Sequence, residues 1–425
     1  MPAFYAASHR LNAVNASRPS LQGLSRWCSL SLVILTSVLS PAQVNVLTYH
    51  YDNWRTGQNT KETILTPSNV NSNSFGKLCS TPVDGQVYAQ PLIGTNVPIN
   101  GHTYPVVAFV TTQNDSVYAI DGTNCNVILG PVSLLGPGES PVGCQYVGSS
   151  ACRTIAPVAG ILGTPVGDVS TLTIYLDAYS QLGTPPTQFF HRIHALNALT
   201  LSVTKENFGA PVLVNPPGES ASQFAHDHLQ RPGLLDLGNT IYVAYSMMDG
   251  TPYPYPSGYV LGYNKTNLAT APMIFETTPQ GNGGGIWQGG GGLAAGLDST
   301  GNTAIYFGTA NGTFDQGANG ECIDCGESFV KLTTSLQLAD FFSTFDELPL
   351  ACPCSDQDFG SGGVTLIPDN TVASHPYLAL IGDKEGKVYV SDRNHMGGFS
   401  GSCTCLLYTS PSPRDGATSR MPSSA

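Results

Sequence analysis

Two close cysteine pairs, Cys322-Ile-Asp-Cys325 and Cys352-Pro-Cys354, have the spacing that speaks most directly of chemistry in these 425 residues. Four thiolates in two pairs can hold zinc tetrahedrally. The same pairs can close as disulfides, and their spacing departs from paired Cys-x-x-Cys knuckles. His226-Asp227-His228 sets two imidazoles on one side if the segment is extended, a spacing that chelates a divalent metal. No third ligand is identifiable, and the neighbouring Gly, Ser and Pro residues also describe a solvated loop. The glycine cluster Gly281 to Gly292 lacks the Lys-Ser/Thr ending and the following helix of a phosphate loop, so close backbone packing accounts for it better. Neither a Gly-x-Ser-x-Gly elbow nor a His-Glu-x-x-His helix occurs. Catalytic residues are therefore unknown from sequence.

Elements able to position such groups repeat along the chain. Five segments share one pattern: Val117-Tyr-Ala-Ile-Asp121, Ile193-His-Ala-Leu-Asn197, Val260-Leu-Gly-Tyr-Asn264, Phe329-Val-Lys-Leu-Thr333 and Val388-Tyr-Val-Ser-Asp392, with their last residues 59 to 76 positions apart. Each follows a second apolar run across turn chemistry such as Gln113-Asn114-Asp115 or Asp383-Lys384-Glu385-Gly386, which reads as a hairpin. Upstream of each lies an entry strand of small residues, and a fourth strand follows the first four units. Glycine 47 and proline 31, with only 11% charged residues, suit short strands and tight turns better than long helices. The pattern predicts an all-β chain, a β-propeller of four-stranded antiparallel blades with at least five units, near 75–135, 136–215, 216–280, 281–346 and 347–402. Two unrelated β-sandwiches with similar hairpins are the alternative.

If the small-residue strands are innermost, the residues just before them line the mouth of the central channel. These are Tyr88 and Gln90, Gln230 and Arg231, and Trp287 and Gln288. Amides, a guanidinium and an indole suit a polar planar or sugar-like ligand. The same Gln and Arg side chains could instead tie entry loops to backbone carbonyls.

The hairpin pattern, an apolar run, a turn and then a strand such as Val117-Tyr-Ala-Ile-Asp121, resembles the repeats of pyrroloquinoline-quinone (PQQ) β-propellers. Tyr51-Asp-Asn-Trp-Arg-Thr-Gly-Gln, Val83-Asp-Gly-Gln-Val-Tyr-Ala-Gln-Pro-Leu, Gln230-Arg-Pro-Gly and Gly285-Ile-Trp-Gln resemble an exported bacterial branch with such repeats. The resemblance covers nearly all of 48–399 and implies a quinoprotein-dehydrogenase-like fold. It also implies PQQ with Ca2+ as a possible cofactor pair, in an oxidoreductase acting on alcohols or sugars. Two departures stand against that activity: the chain has no adjacent Cys-Cys pair, and the Trp that closes each repeat in the family is missing. The first expectation is hence a non-catalytic binding or assembly platform for a small molecule, carbohydrate or protein, with the oxidoreductase as the alternative.

The ends and the charge bound the rest. Arg10, Arg18 and Arg26 precede the uncharged run Trp27 to Leu39, and Ser40-Pro41-Ala42 offers a cleavage site, so 1–42 reads as an export signal and the remainder as secreted or periplasmic. The string Cys405-Leu-Leu-Tyr-Thr-Ser-Pro-Ser-Pro-Arg414-Asp resembles translated sequencing adapter. On that reading 403–425 is a non-native unstructured tail, the propeller is 43–402 and truncated, and its fifth unit lacks an outer strand. A net charge of −12 argues against nucleic acid, and no segment after the signal is apolar enough to insert in a membrane. Eight cysteines between 43 and 402 favour disulfides in an exported chain: Cys144 with Cys152, and two bonds among Cys322, Cys325, Cys352 and Cys354.

Overall fold

The strands alternate apolar side chains on both faces, so each sheet needs a neighbour on either side. In Thr173–Leu182, Ile174 and Leu176 pack toward the sheet before it while Tyr175 packs toward the sheet after it. The computed structural model describes residues 3–7, 44–148, 151–248, 254–343, 358–369, 374–384, 386–399 and 407–409. It resolves this demand as five antiparallel sheets stacked face to face.

Blade 1 runs Leu92–Ile99, His102–Thr111, Ser116–Asp121, Val127–Ser133 from inside to outside. Blade 2 has Val166–Asp168, Thr173–Leu182, Gln188–Asn197 and Val212–Leu213, widened by Glu139–Gly143 and Val158–Ala159. Blade 3 has Leu235–Leu237, Thr240–Met247, Tyr259–Asn264 and Met273–Glu276, with His228–Leu229 added to Thr240–Met247. Blade 4 has Ala294–Leu297, Thr303–Gly308, Ser328–Thr333 and Leu338–Ser343, to whose edge Gly398–Phe399 pairs in parallel. Blade 5 has Thr365–Leu366, Leu378–Gly382, Val388–Asp392 and Leu407–Thr409.

That last strand corrects the sequence reading at one place. Leu407–Thr409 lies in the segment expected to be an unstructured tail, yet it pairs with Val388–Val390 as the fourth strand of blade 5. An exposed sheet edge accepts any backbone with free N–H and C=O groups, whatever its side chains. Residues 410–425 lie outside the described residues. So does most of the expected export signal, though Ala3–Ala7 pairs with Phe75–Ser80.

The core sits between blades. Leu92, Val107 and Phe109 meet Ile174, Leu176 and Leu196; Tyr175 and Ile193 meet Ile241 and Val243. Leu235 and Tyr242 meet Leu293 and Phe307; Tyr306 and Phe329 meet Ile381 and Tyr389. The far face of blade 1 is covered by Val83 and Val87, and among the described residues no apolar cluster joins blade 5 to blade 1. Inner strands approach so closely that a Cβ on Gly291 would stand 2.9 Å from the Cα of Gly363. Only glycine permits such an approach, which is the use the chain makes of its glycine cluster.

Disulfides join Cys144 to Cys152, as expected, and Cys79 to Cys125. Cys322 bonds Cys325 in the small sheet Phe314–Gln316 with Cys322–Cys325, inside the core of blades 3 and 4. This bond removes both sulfurs from any zinc set; Cys352 and Cys354 lie outside the described residues.

Candidate functional site

The axis of the blades is filled by the chain's own segment 44–57. Val46 exchanges backbone bonds of 2.8 Å with Ile93 of blade 1, and the carbonyl of Leu47 accepts from Gly167 of blade 2. Asn53 donates through Nδ2 to Asp236 O of blade 3 and accepts from Ala295 N of blade 4. Trp54 O accepts from Leu366 N of blade 5 at 2.9 Å. Between these two legs the chain turns back through His50 and Tyr51, and Arg55 follows the second leg, all three at positive φ (53°, 70° and 61°). Non-glycine residues hold that conformation only where surrounding contacts over-determine it.

Arg55 supplies those contacts. Its guanidinium, 1% exposed, donates to Leu293 O at 2.8 Å, Leu234 O at 3.2 Å, Tyr49 O at 2.9 Å and Thr48 Oγ1 at 2.5 Å. Burial pulls its pKa down to about 10, against the pull of Asp52 and Tyr49. It therefore stays charged at neutral pH.

The turn places Tyr49 and His50 at the channel mouth, stacked with ring centroids 4.0 Å apart. Tyr49 donates its hydroxyl to Gly290 O. Gln90 accepts from His50 N at 3.2 Å and donates to Thr48 O at 3.3 Å, so it fastens the hairpin. Gln230, 3% exposed, donates to Pro232 O; Gln288, fully buried, donates to Gly362 O at 3.4 Å and leaves Oε1 without a partner. These three amides serve the fold. Tyr88, Arg231 and Trp287 are all part-exposed. Tyr88 and Trp287 rest on one apolar cluster that includes Leu162, Leu229 and Met248. The Arg231 guanidinium lies against Gly289, where a Cβ would meet its Cζ at 2.9 Å. Burial raises the Tyr88 phenol, and the nearby Arg231 charge opposes that rise. The hydroxyl of Tyr88 donates to Thr154 O at 3.0 Å.

His226 and His228 do not form a metal pair. Residues Ala221–Asp227 are a helix capped by Ser220 rather than an extended segment or a loop, and it turns the two rings apart. His226 is exposed and bonds Asp227 Oδ1 at 2.6 Å. His228 is buried, its ring nitrogens 2.9 Å from Phe224 O and 3.0 Å from Ser257 O. Burial brings its pKa down to about 4, so the ring is neutral. The sequence missed a neighbouring buried group. His191 Nδ1 lies 2.6 Å from Asp177 Oδ1, its Nε2 3.1 Å from His228 O, and Tyr245 donates to Asp177 Oδ2 at 2.9 Å. With His191 and Asp177 at 0% and 2% exposure, this network joins blades 2 and 3 and reaches no solvent.

Just before that helix, burial first, then the charges of Asp227 and Glu276, push the Glu219 carboxyl up to about 7. The folded state therefore holds this proton more tightly than the unfolded chain, whose glutamate titrates near ~4.3. Its contribution to stability is lost as pH rises from about 4.5 to about 7. In urea titrations, the stability advantage of Glu219→Gln over wild type is expected to grow between those pH values; a gap independent of pH would refute the assignment.

No family model and no curated protein sequence matches the chain. Among solved structures, the quinohemoprotein alcohol dehydrogenase ADHIIG from Pseudomonas putida HK5 is similar with a TM-score of 0.56 at 15% identity, over 84% of this chain and 47% of that one. The quinohemoprotein alcohol dehydrogenase from Comamonas testosteroni is similar with a TM-score of 0.52 at 15% identity, over 84% and 48%. The chain spans about half the length of these structures. The likeness shows the fold: a β-propeller.

The described residues supply no carboxylate cluster for the Ca2+ that the sequence resemblance implies. Ca2+ takes six to eight oxygens, carboxylates prominent among them. Among the described residues no three His, Cys, Asp or Glu side chains converge to hold a metal. The mouth offers phenol, indole and guanidinium instead, and the Cys322–Cys325 bond is buried between blades 3 and 4.

Proposed function

We propose that this propeller is an exported binding platform whose ligand, polar and planar or sugar-like, docks at the channel mouth on Tyr88, Arg231 and Trp287. The observation that carries this reading is a phenol and an indole part-exposed on one apolar cluster, with the Arg231 guanidinium close enough for its charge to act on the phenol. A flat π face and a cation beside it bind a ligand by stacking and by charge-assisted hydrogen bonds. Three disulfides support an oxidising compartment, and among the described residues no helix is long and apolar enough to cross a membrane.

Tryptophan fluorescence tests the reading, since Trp54 is the one other tryptophan after the expected signal. PQQ with and without Ca2+, and a panel of oligosaccharides, are titrated as probes. Arg231→Ala is expected to weaken binding of an anionic probe about 10- to 100-fold. Trp287→Ala is expected to remove the spectral change with the affinity. Equal affinity in both variants and wild type would refute the site. Dye-linked oxidation of an alcohol in the presence of PQQ and Ca2+ would replace this reading with the oxidoreductase one.

A further inference from the structure

We infer that the innermost strands of the five blades form a peptide-binding groove, and that residues 44–57 are its separable occupant, a strap holding the blades together where, among the described residues, no apolar cluster closes the ring. Every blade spends main-chain groups on the strap: Ile93 in blade 1, Gly167 in blade 2, Leu234 and Asp236 in blade 3, Leu293 and Ala295 in blade 4, and Leu366 in blade 5. Backbone donors and acceptors that would otherwise lie unpaired along an axial surface are thus satisfied by one extended segment, the physics by which sheets capture peptides. Specificity comes from side chains. Arg55 bridges blades 3 and 4 with a fixed fork of donors, and Trp54 lies 5.3 Å beneath the buried guanidinium of Arg393 in blade 5. The side-chain and turn hydrogen bonds of the following loop, 58–74, run within that loop, to Thr56 or to Phe75, and 60–64 are exposed.

The test uses the full chain with one protease site placed at Lys61-Glu62 and another between residues 8 and 43, so that pairing of Ala3–Ala7 with Phe75–Ser80 cannot retain the strap. After both cuts, native gel filtration and mass spectrometry are expected to find the strap still bound to the body. A labelled synthetic peptide of residues 44–57 then exchanges into the body, and the same peptide carrying Arg55→Ala binds at least about 100-fold more weakly. Because the substitution sits only in the peptide, the body is wild type throughout. Release of the strap on cutting overturns the inference, whether the body stays folded or aggregates. So does equal binding of the two peptides, and so does an uncut chain that proves to be a dimer exchanging straps between copies.

Discussion

Arg55→Met in the intact chain is expected to lower folding stability by about 3–5 kcal/mol. Methionine keeps most of the stem volume and loses every donor, so packing is spared while the polar partners are stranded. Leu234 O, Leu293 O and Tyr49 O each accept from the guanidinium at 2.8 to 3.2 Å in a site with almost no water access. A buried acceptor left without a donor costs about 1–3 kcal/mol, and three are left at once. The strained turn at His50 and Tyr51 loses its fastening as well. Guanidinium denaturation followed by tryptophan fluorescence measures the loss. Arg55→Lys should restore part of it, because a single ammonium cannot reach acceptors on blades 3 and 4 together. A loss below about 1 kcal/mol would show that water satisfies the carbonyls and that Arg55 is not the fastening.

His191→Ala is expected to cost a similar amount, about 3–5 kcal/mol, through a different interface. Removing the ring leaves the Asp177 carboxylate, 2% exposed, with Tyr245 as its remaining side-chain donor, and it frees the carbonyl of His228. It also deletes the surface on which Tyr179 stacks, 4.2 Å between centroids and 8° between planes. Tyr245→Phe is the matched control: it removes one hydrogen bond and leaves the His191–Asp177 contact, so about 1–2 kcal/mol is expected. Equal losses in the two variants would mean that the network is held by packing alone. Hydrogen exchange adds a second readout, since loosening should concentrate in Thr173–Leu182 and Thr240–Met247, the strands bearing Asp177 and Tyr245.

The architecture was legible because its cause is local and repeated. Apolar residues on both faces of Ile174-Tyr175-Leu176, ended by turn chemistry and recurring five times, leave few solutions other than sheets stacked on sheets. Cys144 and Cys152 were legible too, since a separation of only eight positions brings their sulfurs together without long-range information. The segment His226 to His228 was misread: neighbouring Gly, Ser and Pro suggested a loop, whereas Ser220 caps a helix whose Phe224 and Ala225 are held by burial. At the mouth, the duties of the residues named from sequence were not separable. A glutamine that braces a carbonyl and one that awaits a ligand look alike until the carbonyl is placed, as Thr48 O is for Gln90 and Pro232 O for Gln230. The strap and the strand Leu407–Thr409 lay beyond reach for a deeper reason. Both are held largely by main-chain groups, which every residue carries and no side-chain pattern reports. Arg55 finds Leu234 and Leu293 across 179 and 238 positions of chain. Local sequence determined that the blades would form; only the folded chain, by bringing those distant carbonyls to one axis, decided what holds them together.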